Sequence, residues 1–392
     1  MEKKYLAVNN GSSSKKYALY SGKNEVCRLN LEKSEGGFIF SWGGAVGVGR
    51  NEITEEDYRD GVKFILNFFL TKKFIKELSE ITLVGLRVVA PGEFFIENRV
   101  IDMEYELKLK DVAERAPLHT GPIVAEIQSL KLHLEGVPIF AVSDSAFHAT
   151  LDSVAREYSF PRAIVNKYGL RRFGFHGISL SSAMEKLGNN NSLKEKVVIC
   201  HLGSGSSITA IKDGKSFDTS MGFTPLEGLP MGTRIGDVDA GVALELARKL
   251  NMTIDELENY LNKECGLKGL SGGVADVKSL LRLQEEGDLS AKFALDYFIY
   301  KTTKYIGSYC AALGGIDTLV FTGAIGERSP VIRAKILHGL EFFGVKFNQE
   351  KNSENYGEDM KISSVDSQCE VWVLTANEMR QIALETIKAN LK

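Results

Sequence analysis

Ala7-Val8-Asn9-Asn10-Gly11-Ser12-Ser13-Ser14-Lys15-Lys16-Tyr17-Ala18-Leu19-Tyr20-Ser21-Gly22-Lys23 and Ile199-Cys200-His201-Leu202-Gly203-Ser204-Gly205-Ser206-Ser207-Ile208-Thr209-Ala210-Ile211-Lys212-Asp213-Gly214-Lys215 are one strand–turn–strand pattern written twice. Set in register without a gap, Gly11 falls on Gly203, Ala18 on Ala210, and Gly22-Lys23 on Gly214-Lys215. Each copy is an apolar strand, a Gly/Ser turn, a second strand and a tight turn. Glycine permits close backbone approach, and Ser hydroxyls with free N–H groups hold phosphate oxygens. One such hairpin in each half points to two related domains closing on a phosphorylated ligand. By pattern alone, two ordinary hairpins with Gly turns read the same way.

The surrounding chain sets the bounds. Its 392 residues suffice for a large core and two domains. With 44% hydrophobic and 25% charged residues it has the composition of a globular protein, and a net charge of -3 offers nothing to draw nucleic acid or an anionic membrane. No apolar run reaches the length of a membrane span, and Met1-Glu2-Lys3-Lys4 leads into a strand without a signal-peptide core, so a cytoplasmic location is expected. Cys27, Cys200, Cys265, Cys310 and Cys369 form no C-x-x-C pair, which fits free thiols in a reducing compartment rather than a zinc site.

In the first half, strands are expected over 4–8, 15–20, 25–31, 37–42, 81–89 and 137–142, with helices over 55–74, 104–115 and 123–132. The order repeats from Lys196. Helices are expected over 237–250, from Thr253 behind a Thr253/Glu256 capping box, and over 289–312, 329–343 and 377–391. Asp317–Glu327 reads as a buried parallel strand, a Gly turn and a helix N-terminus, an arrangement that faces phosphates in α/β proteins although any strand-to-helix turn carries Gly.

Longer motifs carry a family resemblance. Asn9-x-Gly11-Ser12-Ser13-Ser14-x-Lys16, Arg172–Gly177, and Asp218–Leu229 continuing to Met231-Gly232-Thr233-Arg234 resemble the signatures of the acetate kinase (acetokinase) family, in the sugar kinase/Hsp70/actin superfamily. Asp144–His148, Phe321–Glu327 and Asn377-Glu378 fit as well, so the resemblance covers nearly the whole chain. It implies an α/β fold of two domains, each with a mixed five-stranded sheet as its duplicated core, and an active site in the interdomain cleft. The N-terminal domain is expected over 1–150 with the C-terminal helix 378–392. The C-terminal domain, over 151–377, is expected to bind nucleotide and to form a homodimer.

The family reaction moves a phosphoryl group between ATP and acetate, giving acetyl phosphate and ADP. A short acid with a pKa of roughly 4–5 is already an anion at neutral pH, so the obstacle is bringing two anions together. Arg87 and Arg234 match the family's active-site arginines, whose planar guanidinium grips carboxylate or phosphate at two points. His176 matches a hydrogen-bond donor to the transferring group, and Asp144 a catalytic acidic position. Asp144, Asn9 and Glu378 match positions linked to Mg²⁺, with Mn²⁺ as its alternative. Ser12, Ser14 and His119 are supporting residues. The acyl pocket maps to Arg87, Val89, Leu118, Phe175 and Pro225. The bulk of Val89 favours acetate over propionate by the ~1–3 kcal/mol that one methylene is worth. The nucleotide side maps to Lys16, His201, Gly203, Ser204, Gly205, Asp276, Val277, Lys278, Gly323, Ala324, Ile325, Gly326 and Glu327.

Several positions depart from the family pattern. Leu86, Ala90 and Pro91 flank Arg87 where His, His and Gly are common, and Leu180 replaces a His. Ser204, Ile235, Lys278 and Arg328 replace Asn, Ser, Arg and Asn. Three of these, Ser204, Lys278 and Arg328, cluster on the donor side. Alternative readings are therefore a kinase for propionate or another short acid, one with a different phosphoryl donor, or a non-catalytic nucleotide-binding protein of the same superfamily.

Overall fold

A computed structural model describes residues 3–389 apart from 12–13, 35, 45–46 and 116, and no side chain at 114–119. The chain divides into two compact units, Met1–Ala146 with Asn377–Lys392, and Phe147–Ala376.

The first unit is built on strands β1 (Lys4–Asn10), β2 (Ser14–Ser21), β3 (Asn24–Ser34), β4 (Gly37–Gly44), β5 (Gly49–Ile53), β6 (Ile81–Val88), β7 (Arg99–Val100) and β8 (Ile139–Ser143). The second carries β9 (Lys196–Leu202), β10 (Ser206–Lys212), β11 (Lys215–Thr219), β12 (Thr318–Thr322), β13 (Met360–Lys361) and β14 (Glu370–Val373). Among the described residues the sheet orders are β5-β4-β3-β2-β1-β6-β8-β7 and β11-β10-β9-β12-β14-β13. The duplication thus extends well past the hairpin. In the first unit β1, β2 and β3 pair antiparallel, then β6 and β8 add in parallel. In the second, β9, β10 and β11 pair antiparallel, then β12 and β14 add in parallel.

The expected five-stranded sheets are the shared core of two larger ones. In the first unit β4 and β5 extend one edge and β7 the other; in the second β13 is added. The β4 extension is held by aromatic packing. Phe40 lies edge-on to Phe64 and Phe68 of the helix Gly61–Thr71, with ring centroids 4.9 and 5.0 Å away, and stacks on Trp42. The central strands read as near-continuous apolar runs because both faces are covered: in β9 every residue after Lys196 is buried.

Some helices differ from expectation. The helix over 55–74 is two, Glu55–Arg59 and Gly61–Thr71. Asp60 leaves the helical region between them, and its carboxylate accepts from the Lys63 N–H and the Ser129 hydroxyl, so it caps the second helix. The helix over 123–132 starts earlier, as Pro117–His133, with Pro122 inside it at the loss of one rung of its hydrogen-bond ladder. The helix over 329–343 is Pro330–His338 followed by a short 3₁₀ turn, Glu341–Phe343. Helix Ile254–Lys263 has the expected Thr253/Glu256 capping box. The C-terminal helix is Glu378–Ala389, and 390–391 fall outside the described residues. It lies on the first sheet at Gly85, where a Cβ would overlap the Thr386 hydroxyl. No described helix is long and apolar enough to cross a membrane.

Candidate active site

In the second unit, three glycine-turn residues organise the polar groups. Gly203-Ser204-Gly205 joins β9 to β10, and Ser206 Oγ accepts from the Gly203 N–H at 3.2 Å. At Gly205 a built Cβ would stand 3.3 Å from His176 Nε2 and 3.6 Å from Arg234 Nη1. The bare backbone therefore lets an imidazole and a guanidinium approach one point of the turn. His176 holds a left-handed conformation (φ 61°) immediately before the helix Gly177–Asn189. For a non-glycine residue that conformation is strained, and surrounding packing must impose it. Its Nδ1 meets the Ser207 hydroxyl at 2.9 Å, which leaves Nε2 on the Gly205 side. Its ring lies 4.1 Å from the His201 ring, and His201 Nδ1 meets Ser179 Oγ at 2.8 Å.

Arg234 is carried by the long segment after β11. Its Nη1 donates to the Pro225 carbonyl at 3.3 Å. Arg172 ties that segment down: Nη1 donates to the carbonyls of Thr219 and Met221 at 3.0 and 3.1 Å, and Nη2 to Glu227 at 2.6 Å. Tyr158 also donates to Glu227 and accepts from the Phe223 N–H. Burial opposes the charge on Arg172, but Glu227 outweighs it and holds its pKa above the ordinary value. His148 plays a similar part beneath Phe175. It bonds Ser216 Oγ and the Phe175 carbonyl, and Gly174 leaves space for its ring.

A cavity of about 430 Å³ opens beside this turn. Of the residues expected on the nucleotide side, Gly203, Ser204, Asp276, Val277, Lys278, Ala324 and Ile325 line it. Arg328, expected on the donor side, lines it as well, and so do Gly232, Thr233, Ala275, Leu281 and Ser329, which the motifs do not assign to the nucleotide. Thr233 adjoins the catalytic candidate Arg234 and Ala275 the nucleotide candidate Asp276, so position next to a motif was the available signal. Asp276 also caps the helix Val277–Glu285 by accepting from the Ser279 N–H. Of the others, Gly323, Gly326 and Glu327 sit behind the wall, Gly205 and His201 lie at the glycine turn beside His176, and Lys16 belongs to the first unit. Gly326 packs on Phe321 and the Cys200 carbonyl, and buried Glu327 accepts from the N–H groups of Gly323 and Ala376 at 3.0 and 2.8 Å. Glu327 is thus a brace for the strand-to-helix turn. Gly323, at φ 76°, has room only for hydrogen beside the Leu202 backbone.

In the first unit, Arg87, Asp144, Asn9 and Glu378 form one chain of hydrogen bonds. Arg87 donates from Nε and Nη2 to the two oxygens of buried Asp144, at 3.1 and 2.8 Å. Its Nη1 donates to Asn9 Oδ1 at 3.1 Å, and Asn9 Nδ2 donates to Glu378 Oε2 at 2.7 Å. Burial works against the Arg87 charge, but Asp144 and then Glu378 override it and hold its pKa above ordinary. Lys16 stands opposite Asn9 across the β1–β2 pair and is exposed; Ser14 is half-buried. Val89 packs half-buried against the core of this unit, whereas Phe175 and Pro225 are buried in the other. Ser12, and the side chains of Leu118 and His119, lie outside the described residues. Among the described residues no three His, Cys, Asp or Glu side chains converge as a closed metal cage requires.

The chain belongs to the acetokinase family, which it matches over residues 4–384. It is 39% identical to an acetate kinase of Clostridium novyi over 397 residues, covering 98% of this chain and 97% of that one. It is 41% identical to one from Acetivibrio thermocellus over 400 residues, covering 98% of each. Among solved structures it is similar to the acetate kinase of Porphyromonas gingivalis (TM-score 0.88, 34% identity, all of both chains). It is also similar to a propionate kinase of Francisella tularensis (TM-score 0.90, 32% identity, 98% of this chain and 99% of that one).

Proposed function

We infer that this protein catalyses reversible phosphoryl transfer from ATP to acetate, giving acetyl phosphate and ADP. The observation that carries the reading is the meeting of His176 Nε2 and Arg234 Nη1 at Gly205, beside a cavity lined by the glycine turn and the strand-to-helix turn. The acceptor is already an anion, so no general base is needed and catalysis is positioning and charge neutralisation. Arg234 and His176 neutralise the transferring group; Arg87 receives the carboxylate or phosphate, oriented by Asp144. ATP takes the cavity, with Lys278 and Arg328 on its walls. Val89 in one unit, and Phe175 and Pro225 in the other, are the apolar residues the family motifs assign to the acetate methyl group.

Mg²⁺ fits the donors present. Asn9, Asp144 and Glu378 offer only hard oxygens, and Mg²⁺ is commonly held by one or two carboxylates together with substrate phosphates rather than by a protein cage. When bound it neutralises phosphate charge. The protein acts in the cytoplasm as a homodimer. Dimerisation is supported by the helix Ala240–Leu250, which buries none of its residues and leaves Val242 and Leu244 57% and 56% exposed.

With acetate, ATP, Mg²⁺ and hydroxylamine, the purified protein is expected to yield acetyl hydroxamate and ADP. R234A and H176A should each lower kcat on the order of 10²–10³-fold, the cost of one preorganised donor to a developing charge. Unchanged rates would remove both residues from the site. Likeness to the propionate kinase favours a second reading, so the same assay ranks acetate, propionate and butyrate by kcat/KM. Nucleotide binding without turnover of any acid would indicate a binding protein instead.

A further inference from the structure

Among the described residues Arg333 is the largest fully buried side chain, and the chemistry above makes no use of it. It lies in the helix Pro330–His338, and each of its N–H donors has an acceptor. Nε donates to Asn352 Oδ1 at 2.8 Å. Nη1 donates to the carbonyls of Gly326 and Glu327 at 2.9 and 2.8 Å. Nη2 donates to those of Asn352 and Asn355 at 2.9 and 2.8 Å. None of these acceptors is a carboxylate. Burial pulls the guanidinium down to about 10, which still leaves it charged at neutral pH. A buried charge satisfied only by neutral carbonyls is costly, and an apolar side chain of similar volume would usually serve stability as well.

Its partners explain what it secures. Gly326 and Glu327 are in the last turn of the helix Gly323–Arg328, where backbone carbonyls lack helical partners. Asn352 and Asn355 belong to the end of the helix Gln349–Glu354 and the turn after it. The rigid guanidinium fork therefore fastens one segment to the other. Asn352 Nδ2 adds a bond to the Pro330 carbonyl at 3.0 Å. The fastened stretch carries Ala324, Ile325, Arg328 and Ser329, which are cavity wall.

We propose that Arg333 is a positioning residue for nucleotide: it fixes the 324–329 wall through the carbonyls of Gly326 and Glu327, so that the cavity is formed before ATP or ADP arrives. The proposal rests on the reading that this cavity takes the nucleotide. Preformed sites avoid ordering a wall during binding, so loosening Arg333 should weaken nucleotide binding and spare the acid.

The test measures ADP binding by calorimetry and the KM values for ATP and acetate, in R333M, N352A and A324W. Ala324 is exposed on the wall, so A324W fills the cavity at little packing cost and is expected to abolish ADP binding. R333M is expected to weaken ADP by about tenfold and raise the KM for ATP similarly, with the KM for acetate unchanged. N352A, which keeps the other four Arg333 bonds, is expected to weaken ADP by about threefold. A purely structural role would lower the melting temperature and leave both KM values of the folded protein alone. The proposal is overturned if folded R333M binds ADP as the parent does while A324W has lost it. Should R333M not fold, N352A decides by the same comparison. If A324W binds ADP normally, the cavity reading itself fails and the positioning role falls with it.

Discussion

The missing side chain at Gly205 gives the His176 imidazole its close approach to the turn, beside Arg234. A Cβ there would press on His176 Nε2 at 3.3 Å and only touch Arg234 Nη1 at 3.6 Å, while the backbone itself tolerates alanine because its φ is not in the left-handed region. G205A should therefore fold with an unchanged melting temperature. It should lose about tenfold to a hundredfold in kcat, the cost of displacing reacting groups by a fraction of an ångström to an ångström. A kcat close to that of the parent would mean that nothing reacts at this turn. Other single residues bear on the site through what they hold. Arg87 is steered by Asp144 and Asn9, Arg234 by the Pro225 carbonyl, and Phe175 by His148. Sequence motifs place most of these residues on a list. They say nothing of Ser207 and Ser179, which set the orientation of the two adjacent imidazoles from neighbouring elements.

The C-terminal helix Glu378–Ala389 shows how one element depends on another. It brings Glu378 to Asn9, a partner 369 positions away in the chain. It can lie close on β6 only because Gly85 has no side chain. G85A forces the helix outward and should cost about 1–3 kcal/mol by overpacking. That is a fall of roughly 2–4 °C in melting temperature per kcal/mol for a domain of this size. Adding T386A removes the hydroxyl that a new Cβ would strike and should restore part of the loss, measurable by thermal melts of the single and double variants. No recovery would place the strain elsewhere. Element ends were legible wherever capping chemistry is local, as at Thr253 and Glu256. The break at Asp60 was not, because its cap is completed by Ser129 on a helix far along the chain.

Over the whole molecule, the five free cysteines give a readout of packing. Cys27, Cys200, Cys310 and Cys369 are buried, and Cys265 is half-buried. Burial pushes the thiols of Cys27 and Cys369 up to about 12, and that of Cys310 to about 11. Thiolate is the reactive form, so at pH 8 a thiol reagent should label Cys265 first and the rest only on unfolding. Rapid native labelling of several thiols would contradict this core. The duplicated hairpin, its Gly/Ser turns and the family motifs were set by sequence alone, because strand periodicity and turn chemistry act between near neighbours. That was enough for two related α/β halves and for most of the residues around the glycine turn. Tertiary structure alone decided the edge strands β5, β7 and β13, the placing of Glu327 behind the wall, and the burial of Arg333 among five carbonyl oxygens. Those outcomes depend on which distant segments pack together, since hydrogen-bond satisfaction in a water-free interior belongs to the assembled fold and to no local stretch of chain.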